Sequence, residues 1–322
     1  MSKINKFKDI INSKIESIRI EGQPEELYNP INYILSLKSK RVRPILSLLS
    51  YSLFEEKTDK IIEPSIALEF FHNFTLIHDD IMDNADIRRG KDTIHKKWNK
   101  NIGILSGDLL MIFAFKMLEN IDDKTFKKTF KRFNNIAIKV CEGQQYDMNF
   151  ETKSQISEAE YLTMITLKTA VLIGFSLELG GLISNQEKKV SEKLYYAGEK
   201  IGISFQLMDD YLDVFGNSEF GKKIGGDISS NKKTYLIIKL LEQANPDDKK
   251  NILKLMNSNN QDQNKINFIT DMMIKYKIDK ISKNKMDSFF NEGIELLNNI
   301  SGNIESIKDL KSYFEKIRKR NF

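Results

Sequence analysis

Cysteine is almost absent from this chain, proline is scarce, and the residue pairs that mark tight β-hairpins are missing. The one cysteine, Cys141, excludes an internal disulfide and suits a reducing compartment, so a cytoplasmic location is expected. It falls in a helical stretch, which points to packing rather than reactivity. The five prolines stand at 24, 30, 44, 64 and 246, and the run from Ser65 to Asn245 has none, so long helices are allowed throughout it. No Asn-Gly or Asp-Gly pair occurs, and no stretch alternates with a period of two in β-branched residues, which argues against sheets. The opening Met1-Ser2-Lys3-Ile4-Asn5-Lys6 lacks an apolar signal core, and the most apolar later stretch, Ala170 to Leu179, is bracketed by Lys168 and Glu178. Neither a membrane-spanning helix nor an export signal is expected.

What is present suffices for a sizeable core: 40% of the 322 residues are hydrophobic and 30% charged, unlike a disordered chain. The net charge of +5 reflects a general abundance of lysine, so the placement of particular basic residues carries the information. Helical periodicity dominates. Asn245-Pro246-Asp247-Asp248 combines a capping residue, a first-turn proline and early acids, and Ser157-Glu158-Ala159-Glu160 has the spacing of a capping box. Helices are predicted at about 3–21, 25–39, 41–55, 62–84, 101–119, 124–149, 157–182, 188–215, 233–244, 247–257, 263–275, 279–298 and 304–320. No linker or compositional break divides them, so one all-α domain over 1–322 is expected, a bundle of long helices.

Two of the longest predicted helices end in acidic stretches that read almost alike, Asp79-Asp80-Ile81-Met82-Asp83 and Asp209-Asp210-Tyr211-Leu212-Asp213. In each, the first and last carboxylates stand four residues apart on one helix face, where like charges repel. A cation should relieve that repulsion. Hard oxygen donors without His or Cys select Mg²⁺ shared with a substrate phosphate rather than zinc. Basic clusters flank both: Lys40-Arg41-Val42-Arg43-Pro44 and Asp86-Ile87-Arg88-Arg89-Gly90 around the first, Gly221-Lys222-Lys223 and Asn231-Lys232-Lys233-Thr234 after the second. Arginine forks and mobile lysines beside metal-binding aspartates form a site for diphosphates.

The ordered set resembles the polyprenyl synthetase family, the all-trans isoprenyl diphosphate synthases. Its members share the order Lys40 to Pro44, Asp79 to Asp83, Arg88-Arg89-Gly90, Gly143-Gln144-Gln145-Tyr146-Asp147, Lys168-Thr169-Ala170, Phe205-Gln206 with Asp209 to Asp213, and Gly221-Lys222 through Lys232 to Thr234. Stretches such as Phe71 to His78 look most like bacterial geranylgeranyl or farnesyl diphosphate synthases. Two departures stand out: Lys38-Ser39 replace a frequent Gly-Gly, and Ser230-Asn231 replace a frequent Glu-Gly.

The resemblance implies an isoprenoid synthase fold with a central cavity and, as partners, isopentenyl diphosphate, an allylic diphosphate of C5 to C15, and a second copy of the chain in a homodimer. It implies three Mg²⁺ ions per site, bound by Asp79, Asp83 and Asp209, with Asp80, Asp210 and Asp213 in supporting roles. Arg88, Lys168 and Lys232 would hold the allylic diphosphate, and Lys40, Arg43, His72 and Arg89 the isopentenyl diphosphate. Thr169 and Gln206 would turn oxygen dipoles toward the cation. His72 lies seven residues before Asp79, nearly on the same helix face, whereas His78 points about 100° away and is read as structural.

Product length rests on Phe71, Phe74 and Thr75. Ideal geometry places Thr75 and Phe71 nearer the Asp79 face, whereas the resemblance gives Phe74 the chain-length role. Two phenylalanines so close favour a C15 to C20 product. The alternatives are a longer-chain synthase of C30 to C40, a terpene cyclase-like enzyme, which should lack the Lys40, Arg43 and Arg89 set, and a non-catalytic synthase subunit, which should have lost aspartates. A nucleic-acid-binding module ranks last, because the basic residues surround carboxylates instead of forming an aromatic-interleaved stripe.

Overall fold

The computed structural model describes residues 2–216, 225–256, 258 and 263–319. The helices are α1 (Lys3–Ser17), α2 (Glu25–Ser36), α3 (Val42–Tyr51), α4 (Asp59–Met82), α5 (Ile94–Lys97), α6 (Lys100–Lys116), α7 (Asp123–Thr152), α8 (Glu158–Ile165), α9 (Val171–Ile183) and α10 (Lys188–Phe215). After them come α11 (Gly226–Ser229), α12 (Tyr235–Gln243), α13 (Pro246–Met256), α14 (Gln263–Lys275), α15 (Ile278–Asn298) and α16 (Ile304–Lys319). The fold is all-α apart from one ribbon, in which β1 (Ile87–Arg88) pairs antiparallel with β2 (Lys91–Asp92).

Local chemistry sets several of these starts. Ser157 and Glu160 close a reciprocal capping box on α8, and the Asn245 side chain accepts from the Asp248 N–H at 2.9 Å at the head of α13. Tertiary packing overrides local preference elsewhere. Pro30 and Pro64 lie inside α2 and α4 and are buried, so α4 begins three residues before its predicted start. The ribbon escapes the usual hairpin signals because its turn is Arg89-Gly90, at φ +54° and +74°. The predicted helix 157–182 is interrupted by a five-residue π segment, Thr166–Ala170, between α8 and α9.

At the centre, α9 packs against α10, α3 and α7, and α4 against α6 and α3. Among its thirteen residues α9 buries all but Leu182. The run Glu158–Ile183 is, by length and composition, apolar enough to cross a membrane, contrary to the reading of 170–179, yet 67% of its most apolar window is buried inside the bundle. In α4, apolar residues line every side, as a helix enclosed by neighbours requires. Burial of Phe71, fully enclosed there, contributes about 2–3 kcal/mol. These enclosed helices carry the functional side chains at their ends.

Candidate functional site

The end of α4 exposes its carboxylates unequally. Asp79 is half-buried and Asp83, just past the helix end, is exposed, whereas Asp80 turns inward and is almost fully enclosed. The Arg89-Gly90 turn folds β1 back so that Arg88 reaches it. Arg88 Nε lies 2.8 Å from both Asp80 oxygens, and Nη2 lies 2.6 Å from Oδ1, a bidentate fork. Arg88 also stands 4.0 Å from Asp79 Oδ2, Lys168 Nζ 3.2 Å from Asp79 Oδ1, and Lys232 Nζ 3.7 Å from Asp83 Oδ2. The three cations predicted for an allylic diphosphate thus converge on the first acidic motif. Burial, and then the neighbouring Asp79, push the Asp83 carboxyl upward. Burial disfavours the charge on Lys168, but Asp79 and Asp147 outweigh it and hold the ammonium above its usual range.

Lys168 is aimed by the π segment, an irregularity that often marks functional positions. The segment is wedged between two glycines. A Cβ at Gly143 of α7 would fall 2.2 Å from the Lys168 backbone N, and one at Gly202 of α10 would fall 2.8 Å from the Ala170 Cα. One helical turn beyond Gly143, Asp147 accepts from Lys168 Nζ at 2.6 Å. Asp147 lay inside a quoted motif without a role, and its spacing from Gly143 on one helix face was the available signal.

The second motif closes α10. Asp210 is as deeply buried as Asp80 but meets no guanidinium. It accepts from the Tyr161 hydroxyl, from Gln206 Nε2 at 3.3 Å and from the Tyr235 N–H at 3.4 Å, and burial pushes its carboxyl up to about 7. Thr169 Oγ1 donates to Gln206 Oε1 at 3.0 Å, so these two predicted residues do meet. Asp209 is half-buried one helical turn before Asp213, whose Oδ2 accepts the Asp227 N–H at 3.0 Å. Burial opposes the charge on Lys232, while Asp83 and then Asp227 raise its pKa, so this lysine sits between the first acidic motif and the start of α11. Gly221, Lys222 and Lys223 lie outside the described residues.

A second basic set gathers near the middle of α4. Arg41 is buried, its fork on Glu69 at 2.7 Å and the Leu35 carbonyl at 2.8 Å, so it anchors the start of α3. The Arg43 Nε is buried without an acceptor, and desolvation lowers this guanidinium to about 10. Burial and then the charges of Arg43 and Arg89 drive His72 well below the usual histidine range. Arg89 donates to Asn73 Oδ1 at 3.3 Å. Arg43, His72 and Arg89 therefore form one electropositive pocket, and Lys40 lies exposed on the loop three residues before Arg43. Glu69, which sequence reasoning missed, sits beside it.

Both departures from the family pattern have structural work. Ser39 Oγ accepts the Arg41 N–H at 3.2 Å and donates to Glu69 Oε1 at 3.1 Å, shaping the turn before α3. Asn231 takes φ +58°, a conformation open to Asn as well as Gly, just before Lys232. Phe71 is sealed into a ring cluster, 5.5 Å from Phe74 and 5.3 Å from Phe133. Phe74 also packs edge-on to His78 at 4.8 Å, and Thr75 donates to the His72 carbonyl at 2.8 Å. His78 Nε2 lies 3.1 Å from the Ile104 carbonyl.

A metal fits the acidic ends. Asp79 Oδ1 is buried and accepts no well-directed hydrogen bond, and the available donors are hard carboxylate oxygens. Among the described residues no three His, Cys, Asp or Glu side chains close into a ready-made metal cage.

Known proteins match the chain over most of its length. Residues 24–273 match the polyprenyl synthetase family. The chain is 39% identical over 73% of its length to a geranylgeranyl pyrophosphate synthase from Geoglobus acetivorans, covering 74% of that protein. It is 35% identical over 92% of both chains to a geranylgeranyl diphosphate synthase from Sulfolobus acidocaldarius. A crystal structure of geranylgeranyl pyrophosphate synthetase from Pyrococcus horikoshii superposes with a TM-score of 0.92 at 30% identity, covering 99% of this chain and 98% of that one. These relatives are archaeal, which corrects the bacterial affinity expected from Phe71 to His78. With its two acidic helix ends and the match across most of its length, this chain belongs to the polyprenyl synthetase family.

Proposed function

We infer that the chain is a Mg²⁺-dependent trans-prenyltransferase that condenses isopentenyl diphosphate with an allylic diphosphate to give a C15 to C20 all-trans prenyl diphosphate. The observation that carries this reading is the convergence of Arg88, Lys168 and Lys232 on Asp79 and Asp83, with a separate Arg43, His72 and Arg89 pocket nearby. The first set suits the diphosphate that leaves, and the second suits one that stays attached, with Lys40 at its edge. When bound at Asp79, Asp83 and Asp209, Mg²⁺ supplies the charge that neutralises the departing diphosphate. Ionisation leaves an allylic cation, the isopentenyl double bond attacks it, and loss of a proton gives a chain five carbons longer. Arg88, Lys168 and Lys232 hold the leaving group, and Thr169 and Gln206 turn oxygen dipoles toward the cation.

The relatives' names favour the C20 end of the range, and the Phe71 and Phe74 rings support an early stop for the growing chain. Retention of all six aspartates and of the basic pocket disfavours a silent subunit and a cyclase. A homodimer is supported by α6, where Ile104, Leu105 and Ile112 remain exposed on one side. The test is incubation with isopentenyl diphosphate, Mg²⁺ and C5, C10 or C15 allylic diphosphates, with products read by mass spectrometry. Products of C15 to C20 are expected; no extension of any allylic substrate would overturn the reading.

A further inference from the structure

Tyr161 has no place in the chemistry derived so far, yet its buried hydroxyl stands at one end of a polar chain that runs through Asp210 and Gln206 to Thr169. It lies in an apolar cluster with Ile165, Ala170 and Leu207, where a phenylalanine would fill the same volume. Burying a hydroxyl there costs about 1–3 kcal/mol unless it is hydrogen-bonded, and its partner is Asp210. Around that carboxylate three elements meet: Tyr161 from α8, Gln206 from α10 and the Tyr235 N–H at the start of α12.

The direction of every bond in the chain follows from the acceptor at its end. The Tyr235 N–H can only donate, so Asp210 Oδ2 is an acceptor there. Gln206 turns its NH₂ toward Asp210 Oδ1 at 3.3 Å, the orientation that the ionised carboxylate favours, because the amide carbonyl would otherwise face a carboxylate oxygen. That turn points Gln206 Oε1 at Thr169, and the single Thr169 proton goes to it at 3.0 Å. With its proton committed, the Thr169 oxygen has only lone pairs to offer elsewhere. Thr169 is the next residue of the π segment after Lys168, whose Nζ stands 3.2 Å from Asp79 Oδ1, so one short segment carries both groups.

Resting on the functional reading above, we propose that Tyr161 is a positioning residue: through Asp210 it fixes the orientation of Gln206 and Thr169, so that their oxygens, and no protons, face the allylic cation. Without its hydroxyl, Asp210 Oδ2 keeps only the long bond from Tyr235, and the Gln206 amide is free to turn over. Thr169 could then present its proton to the developing positive charge, which would destabilise ionisation without weakening diphosphate binding.

The test uses the full chain with Tyr161→Phe, Thr169→Val and the double variant. Tyr161→Phe should lower kcat on the order of tenfold, less than the hundredfold or more that removal of a direct charge-stabilising group brings. Its affinity for a non-ionising thiolo analogue of the allylic diphosphate should stay within about twofold, because the binding residues are untouched. Adding Tyr161→Phe to Thr169→Val should cost little more than Thr169→Val alone, since both act through one hydroxyl. Wild-type turnover in Tyr161→Phe, or losses that multiply in the double variant, would overturn the proposal. A readout free of activity separates this from failure of the functional reading: in the metal-free protein the Gln206 side-chain amide resonances should shift in Tyr161→Phe. Unchanged resonances would overturn the positioning role even if the enzyme is a prenyltransferase, and shifted resonances in a chain that extends no substrate would refute the reading while the polar chain stands.

Discussion

Asp80 and Asp210 hold the same place in two acidic helix ends of the same spelling, and both are almost fully buried. Asp80 meets the Arg88 fork; Asp210 meets a phenol, an amide and a backbone N–H. A carboxylate held by a guanidinium ties down charge, and here it ties the ribbon bearing Arg88 and Arg89 to the tip of α4. A carboxylate held by neutral donors sets the direction of dipoles instead. On the proposed reading the first motif organises ions, and the second combines ion-facing aspartates with the orientation of Gln206 and Thr169. That division matches a reaction in which an anion departs from one side of a bond and a cation remains on the other.

The largest effects should come from the aspartates that face outward in both motifs. Asp79→Ala, Asp83→Ala and Asp209→Ala should each lower turnover by roughly two orders of magnitude or more, because the charge on the departing diphosphate is no longer matched. Excess EDTA should abolish activity, and full turnover in its presence would refute the Mg²⁺ assignment. If Asp209→Ala were harmless while Asp79→Ala was not, only the first motif would organise ions.

A smaller but more selective effect should separate the two basic sets. Lys40→Ala, Arg43→Ala and His72→Ala should raise KM for isopentenyl diphosphate about tenfold and leave the allylic KM nearly unchanged, whereas Lys232→Ala should do the reverse. Steady-state kinetics with each substrate varied in turn decides it. Equal movement of both constants in every variant would mean that the two pockets do not divide the diphosphates between them.

The contrast between Asp80 and Asp210 can be read without substrate. Asp80→Asn leaves the Arg88 fork against a neutral amide in a largely dry setting and should cost about 3 kcal/mol in urea unfolding. Asp210→Asn keeps an acceptor for the Tyr161 hydroxyl and should cost nearer about 1 kcal/mol. Equal losses would erase the distinction between a charge-held and a dipole-held carboxylate.

Much of this site was legible because the chemistry is spelled in consecutive residues. Asp-Asp-x-x-Asp fixes which carboxylates share a face, and the capping signals at Ser157 and Asn245 are local. What escaped depends on contacts across the bundle. Glu69 reads as one more polar residue on an apolar helix until Arg41 is folded onto it. Tyr161 sits seven residues before Lys168, and nothing in that interval announces an extra residue in the helix or a partner forty-nine positions later. The ribbon was missed because Arg89 adopts a left-handed conformation without the usual Asn or Asp, held by the Arg88 fork on Asp80.

The smallest effect extends the comparison to the second anion pocket, where a neutral side chain stands among cations. His72 is held well below 6.5 by burial first and then by Arg43, Arg89, Arg88 and Arg41, so the folded chain keeps it uncharged at neutral pH. The unfolded chain protonates it near the ordinary value of about 6.5. Below that pH, and down to the lowered folded value, the unfolded state carries one proton more, so stability falls as pH falls, by at most about 1.4 kcal/mol per unit from this group. Above it, His72 contributes no slope. An isopentenyl diphosphate seated among Arg43, His72 and Arg89 would reverse the balance, because its negative charge favours the imidazolium. Affinity for that substrate should therefore rise over the same range in which the free protein weakens, once the substrate's own titration is removed by comparison with His72→Asn. Thermal unfolding and isopentenyl diphosphate titrations from pH 7.5 to about 5.5 in wild type and His72→Asn measure both slopes. Asp210 and Glu178, both raised to about 7, titrate in the same window in both proteins, so a difference between the wild-type and variant slopes is the expected outcome; identical slopes in the two proteins would show that His72 neither destabilises the free pocket nor answers the diphosphate.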